Sequence, residues 1–357
     1  MAPVNLVGKT VAEIAELLAP FAQPAFRARQ IYAGIYRRRL RDWDGFTDIP
    51  RGLRGRLGES FALGYPRPRA VFVSRDGARR YLLEVGRGDR IEAVFIPEPA
   101  RGTICVSTQV GCAVGCLFCV SGRVPLRRNL SAGEIAGQVL ALQSEHGCVR
   151  RRLNVVIMGM GEPLYNYDNV VRALRLMTDP EGMAIPRRRI TLSTAGVVPQ
   201  LERLAREPVV PNLAISLNAT TDDVRDHLMP INRRWNIAAL LEACRRLPLE
   251  PRRRITFEYV LVAGVNDSPE DARRLVRLLA GLRKKVNLIP LNADPLVPFA
   301  PPSAKRVLEF QSILAAGSVT VRVRKPRGKD ISAACGMLAA RSINRDAPLF
   351  RAPGRCV

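Results

Sequence analysis

Histidine is nearly absent from this chain: of 357 residues, only His146 and His227 are of that type. A zinc site with the usual Cys-x(2–4)-Cys and His-x(3–5)-His spacing therefore has little to draw on. Long apolar runs are missing too, and none approaches the ~18 residues that a membrane helix needs. No membrane partner is expected. Residues 1–9 lack a basic segment followed by an apolar core, so no secretory leader is expected either, and the chain reads as cytoplasmic. In that reducing compartment its eight cysteines serve metals and catalysis more readily than structural disulfides. Aromatic residues make up 6%, too few for a broad platform on which bases could stack. Acidic residues number 32 against 56 basic ones, and only six of the basic residues are lysine. A GC-rich coding bias would explain arginine over lysine. It would not explain the excess of basic over acidic groups.

What is present is charge. The net charge is +24 and the isoelectric point is near 10.9, the electrostatic footprint of a protein that binds a polyanion. Runs at Arg37-Arg38-Arg39, Arg150-Arg151-Arg152, Arg187-Arg188-Arg189 and Arg252-Arg253-Arg254 offer several places for phosphate contact, although any one run is commonly a solvated face. RNA, gripped through its backbone and shape, is the leading partner. With 47% hydrophobic content the chain can bury a full core, as one large α/β domain or as a large and a small one.

Residues 10–64 read as a helical unit within an N-terminal domain of 1–66. Thr10-Val11-Ala12-Glu13 is a candidate capping box leading into Ile14, Leu17 and Leu18, and Phe26, Ile31 and Ile35 recur at helical spacing. Short β-rich runs separated by Asp76-Gly77 and Gly86-Arg87-Gly88-Asp89 predict a meander over 67–100. From 101 to 340 apolar strands alternate with amphipathic helices. The strand candidates are 103–106, 154–158, 189–193, 212–217, 255–262, 286–289 and 320–323. Repeated βα units imply parallel strands with right-handed crossovers, and about six of them predict an open, partial (β/α)6 barrel with catalytic groups at the carboxyl ends of the strands. Residues 341–357 read as a tail containing Cys356, while Cys148 and Cys244 read as small buried hydrophobes.

Cys112, Cys116 and Cys119 are spaced Cys-x-x-x-Cys-x-x-Cys, which lets three thiolates converge on one polynuclear centre from a short loop. A complete [4Fe–4S] cluster takes four thiolates, so three leave one iron open. This spacing resembles the radical S-adenosylmethionine (SAM) superfamily, in which the open iron chelates SAM. A structural metal or a chance grouping are the plain alternatives. The strand ends carry Gly159-Met160-Gly161-Glu162, Ser193-Thr194-Ala195-Gly196, Ser216-Leu217-Asn218 and Pro290-Leu291-Asn292. Singly these are loop caps; in register after successive strands they favour a shared ligand.

Three longer segments narrow the resemblance: 105–112 (Cys105 to Cys112), 128–135 (Arg128 to Ile135) and 324–336 (Arg324 to Gly336). They are similar to the RlmN family of adenine carbon-2 methyltransferases acting on 23S ribosomal and transfer RNA, and the likeness runs to about residue 340. The resemblance implies that Cys112, Cys116 and Cys119 hold a [4Fe–4S] cluster. It implies that Gly161, Glu162, Ser193, Ser216, Leu217, Asn218 and Asn292 contact SAM. Cys335 would carry the methyl, Cys105 would be the resolving thiol and Glu92 the proton acceptor. Two SAM molecules would be used per turnover, one to methylate Cys335 and one to yield a radical that activates the S-methyl group for addition to adenine. A cellular electron donor would reduce the cluster, and the N-terminal helices would help dock RNA. Two departures stand out: 120–125 differs from the commoner family sequence, and Asn218 stands where the family often has His. The related carbon-8 methyltransferases share the cysteine arrangement and remain an alternative, as does a non-catalytic, metal-containing RNA-binding protein.

Overall fold

The structure, a computed structural model, describes residues 3–145 and 152–339. His146, Cys148, Cys356, two residues of the 150–152 arginine run and the 341–357 tail lie outside them.

The capping box forms as the sequence predicts: Glu13 N donates to Thr10 Oγ1 and Thr10 N donates back to the Glu13 carboxylate. After strand β1 (Val4–Asn5), helix α1 (Val11–Leu18) buries Ile14 and Leu18. Helix α2 (Phe26–Tyr36) buries Ile31 and Ile35, but Phe26 is 52% exposed, with the Arg27 guanidinium over its ring, so the apolar stripe is shorter than expected. A third helix, α3 (Arg51–Ser60), contains three glycines and gives little helical signal. Leu53 and Leu57, one turn apart and buried, hold it in place. Strand β2 (Phe61–Ala62) then returns to pair with β1 in parallel.

Strands β3 (Arg67–Val73), β4 (Arg79–Val85) and β5 (Asp89–Glu98) form the expected antiparallel meander. It is more than a link, because β5 pairs with β6 (Arg101–Val106) and so continues the main sheet. Two short strands, β7 (Gln109–Val110) and β8 (Arg128–Asn129), bracket the cysteine loop. Helix α4 (Ala132–Glu145), strand β9 (Arg152–Ile157), helix α5 (Tyr167–Thr178), strand β10 (Ile190–Thr194), helix α6 (Val198–Leu204) and strand β11 (Asn212–Ser216) follow. Then come α7 (Asp222–Leu228), α8 (Ile237–Arg245), β12 (Ile255–Leu261), α9 (Pro269–Leu278), β13 (Lys284–Pro290), α10 (Ala304–Ala316) and β14 (Val321–Val323). The main sheet has ten strands in the order β3-β4-β5-β6-β9-β10-β11-β12-β13-β14, parallel from β6 onward. Each consecutive parallel strand lies beside its predecessor in the sheet. Six helical crossovers therefore line up the carboxyl ends of seven parallel strands at one rim, the partial barrel expected, with β3 and β14 left as edges.

The helical unit shares its core with the barrel, since Leu6, Ile14 and Ile31 belong to the same buried cluster as Ile135, Val139 and Leu140. The contact is backbone to backbone. A Cβ on Gly133 would lie 2.2 Å from the Val7 carbonyl oxygen, and facing Gly8 has φ +101°. Arg172 on α5 closes the join by donating to Gly8 O (2.8 Å) and pairing with Glu13, whose carboxyl is held down at about 2 chiefly by that hydrogen bond.

Candidate active site

The cysteine loop leaves β7 and is stitched to two other elements. Cys112 N donates to Val124 O (3.0 Å), Leu117 N to Leu228 O at the end of α7 (3.0 Å), and Val120 N to Gly336 O (2.7 Å). Cys112, Cys116 and Cys119 line one open cavity at the carboxyl rim, the place where ligands of such sheets bind. Burial pushes the Cys112 thiol up to about 12, Cys116 well above its ordinary value and Cys119 upward. The free thiols are therefore neutral, and taking up metal must release their protons. Among the described residues, no three His, Cys, Asp or Glu side chains converge as ligands of a single ion would. The three thiols come from one eight-residue loop segment and line the same cavity.

Gly161, Glu162, Ser193, Ser216, Asn218 and Asn292 line the same cavity. Gly161 has φ +101°, and a Cβ there would sit 2.6 Å from that of Gln109, so this loop can pass only as glycine. The buried Glu162 carboxylate accepts from Leu164 N (3.0 Å), Thr194 Oγ1 (2.7 Å) and Ala195 N (2.7 Å). Burial nonetheless raises its carboxyl above the usual range, against those three donors. Asn218 adopts a left-handed backbone, φ +58°, and its Oδ1 accepts from Val260 N (2.8 Å), tying the ends of β11 and β12 together. The Leu217 side chain lies in the core, 0% exposed and outside the cavity lining, so any contact it makes there would be through its backbone.

Cys335 lies exposed in the cavity lining, and Asn292 Nδ2 donates to its carbonyl (3.2 Å). Cys105 and Glu92 do not line the cavity; they stand behind it on the adjoining strands. Val94 pairs with Cys105 across β5 and β6, so Glu92, two residues from Val94, shares the Cys105 face of the sheet. Glu92 is fully buried rather than solvent-facing, paired with Arg80 and accepting from Ala339 N (2.8 Å). The Cys105 thiol is pushed up to about 12 by burial, with Cys335 adding and Arg324 opposing.

Two buried groups escaped the sequence reading, Glu258 in the cavity lining and Arg225 outside it, while Arg324 opens the basic 324–329 loop that precedes Cys335. Arg324 sits in the lining and is held above its ordinary value first by Cys335, with Glu258 and Cys105 also contributing. Glu258 Oε1 accepts from Asn287 Nδ2 (3.0 Å), while Oε2 is buried without a partner. A carboxylate inside an otherwise apolar strand was its available signal. Arg225, 0% exposed, donates to the carbonyls of Leu217 (3.0 Å), Ala195 (2.8 Å) and Ser216 (3.1 Å), clamping two strand ends. Burial lowers it to about 10. It lies in the charged stretch of α7, where nothing in the local sequence marks it as buried.

A partial parallel barrel with three thiols and a glycine–carboxylate loop at its carboxyl rim defines a radical SAM enzyme. The radical SAM superfamily model matches residues 106–276, and a model described as the ribosomal RNA large subunit methyltransferase N-terminal domain matches 4–63. Two relatives carry the name Dual-specificity RNA methyltransferase RlmN. The one from Syntrophobacter fumaroxidans is 47% identical, covering 95% of this chain and 99% of its own. The other, from Geobacter sulfurreducens, is 48% identical over 94% of this chain and 92% of its own. A solved radical SAM methyltransferase from Sphaerobacter thermophilus is 47% identical with a TM-score of 0.91, covering 95% of this chain and all of that one. The chain belongs to the RlmN family of radical SAM methyltransferases, enzymes that use a [4Fe–4S] cluster and SAM. The residues present fit both groups: three thiols line one cavity, and so does Glu258, whose Oε2 is buried without a hydrogen-bond partner among the described residues.

Proposed function

We propose that this chain methylates carbon 2 of an adenosine in 23S ribosomal RNA at the peptidyl transferase centre, and in transfer RNA beside the anticodon. The methyl travels on Cys335, and two SAM molecules are used per turnover. The observation that carries the reading is the presence of Cys335 in the lining that also holds Cys112, Cys116 and Cys119, which makes it a thiol available for a separate task. Family membership supports RNA as the substrate.

In this reading Cys112, Cys116 and Cys119 hold the cluster. Gly161, Glu162, Ser193, Ser216, Asn218 and Asn292 surround SAM, and any contact from Leu217 is through its backbone. The bound cofactors supply one-electron chemistry, which an aromatic carbon without useful nucleophilicity requires. Cys335 Sγ takes the first methyl as a thiolate, the competent form of the group, and Arg324 stands beside it as counter-charge. The Glu92 carboxylate, oriented by Arg80 and Ala339 N, accepts the carbon-2 proton. Cys105 Sγ attacks the sulfur of tethered Cys335 and breaks its bond to the methylene carbon on the RNA, which takes up a proton to become the methyl group, and a Cys105–Cys335 disulfide is left. A cellular donor reduces the cluster. Residues 1–66 act as the accessory unit that docks RNA, 67–100 extend the sheet, 101–340 form the catalytic barrel, and the enzyme works in the cytoplasm.

The test is anaerobic reconstitution with iron and sulfide, incubation with SAM, reductant and 23S ribosomal RNA, then digestion and mass spectrometry of the nucleosides. Methyl on carbon 2 is expected. Methyl on carbon 8 would overturn the regiochemistry, and a colourless zinc protein would overturn the radical route.

A further inference from the structure

The arginine runs that the catalytic cavity does not use meet at the opposite end of the barrel. Arg187–Arg189 precede β10, Arg252, Arg253 and Arg254 precede β12, and Arg283 and Lys284 open β13. These are amino-terminal strand ends, whereas the cavity lies at the carboxyl ends. The seven residues of β12 separate them by roughly 23 Å, at about 3.3 Å per residue. Arg252, Arg253, Arg254, Arg283 and Lys284 line one groove together with the hydroxyl residues Ser318 and Thr320, and no carboxylate is among its lining residues.

The cations are anchored by neutral oxygens. Arg283 donates to Leu249 O (2.6 Å) and Glu250 O (3.1 Å), Arg254 to Thr320 Oγ1 (3.2 Å), and Arg253 to Pro211 O. The neighbouring Glu250 carboxylate is taken by Arg187, and among the described residues none of the five groove cations forms an ion pair. Asn212 Nδ2 holds Arg188 O (2.8 Å), so the 187–189 run continues the same rim across β11. A lone basic run is commonly a solvated face. Three anchored cations, Arg253, Arg254 and Arg283, with Arg252 and Lys284 beside them in a concavity that also presents two hydroxyls, form a phosphate-binding surface.

We infer that this amino-terminal rim is a second RNA-binding surface, which grips the phosphate backbone of a folded substrate at a site remote from the target adenine. This rests on RNA being the substrate. A hairpin of only a few base pairs seated in the cavity is too short to cover the roughly 23 Å to the far rim, whereas a large folded RNA can reach around the barrel. The rim therefore favours ribosomal RNA over isolated stem-loops.

The experiment compares the full-length protein with the triple variant Arg188→Gln, Arg252→Gln, Lys284→Gln, and with a control triple, Arg203→Gln, Arg273→Gln, Arg277→Gln, on the helical exterior. Binding to a long 23S ribosomal RNA transcript and to a short hairpin bearing the target adenine is measured across a salt series, along with hairpin methylation. For the rim triple we expect about tenfold weaker binding to the long transcript, and a salt slope shallower by about 1 for each phosphate contact removed. Hairpin binding and methylation should stay unchanged, and the control triple should match wild type. Equal binding of the rim triple and wild type would overturn the inference alone, as would equal losses in both triples. Wild-type protein that binds neither RNA would overturn the proposed function with it.

Discussion

Asn218 has a left-handed backbone in which asparagine is better tolerated than most residues, and its side chain is spent on Val260 N. It thus holds two strand ends in register whether or not it also touches SAM. Asn218→Ala should cost about 1–3 kcal/mol through the unsatisfied amide, read as a lower melting temperature; an unchanged melting temperature would remove this role. Replacing any cluster cysteine, for example Cys116→Ala, should abolish iron retention and SAM cleavage after reconstitution, because two thiolates rarely keep a [4Fe–4S] cluster. Cys105 adds a pH dependence. Its thiol is pushed up to about 12, mainly by burial, and only the thiolate attacks sulfur. Over the neutral to mildly alkaline range, release of RNA from Cys335 should therefore quicken by roughly tenfold per pH unit. A rate that is flat or falls with pH in single-turnover decay of the adduct would contradict Cys105 as the attacking group.

Among the elements, the join between the helical unit and α4 depends on two glycines, while α3 carries glycines with room to spare. Gly133→Ala forces a Cβ against the Val7 carbonyl and should cost about 1–3 kcal/mol. Gly55→Ala in α3 meets nothing within 4 Å and should stabilise by up to about 1 kcal/mol. Thermal denaturation of the two variants should move in opposite directions. The same contrast shows what the sequence could reveal. Strong periodicity made the βα alternation and the capping box at Thr10 legible, but α3 is held by Leu53 and Leu57 against its own propensity, and that packing is tertiary. Nothing local marked Arg225 as buried, since its partners are carbonyls at the ends of separate strands. Glu92 was legible only by resemblance, because a carboxylate in an alternating strand normally faces water and this one is covered by Arg80 and Ala339.

Across the whole molecule, the groove cations at the amino-terminal rim and the thiols at the carboxyl rim lie at opposite ends of one barrel, which in the proposed reading separates grip from reaction. RNA affinity should fall linearly with the logarithm of salt concentration; a flat dependence would show that the arginines are solvated surface. The central claim is the division of labour between Cys335 and Cys105. One measurement tests it most directly: a denaturing gel of Cys105→Ala and Cys335→Ala protein after incubation with SAM, reductant and labelled RNA. Cys105→Ala should keep its RNA covalently attached, because it can form the tether and cannot break it, while Cys335→Ala should give neither adduct nor methylated RNA. Normal turnover by Cys105→Ala, or an adduct on Cys335→Ala, would contradict the account.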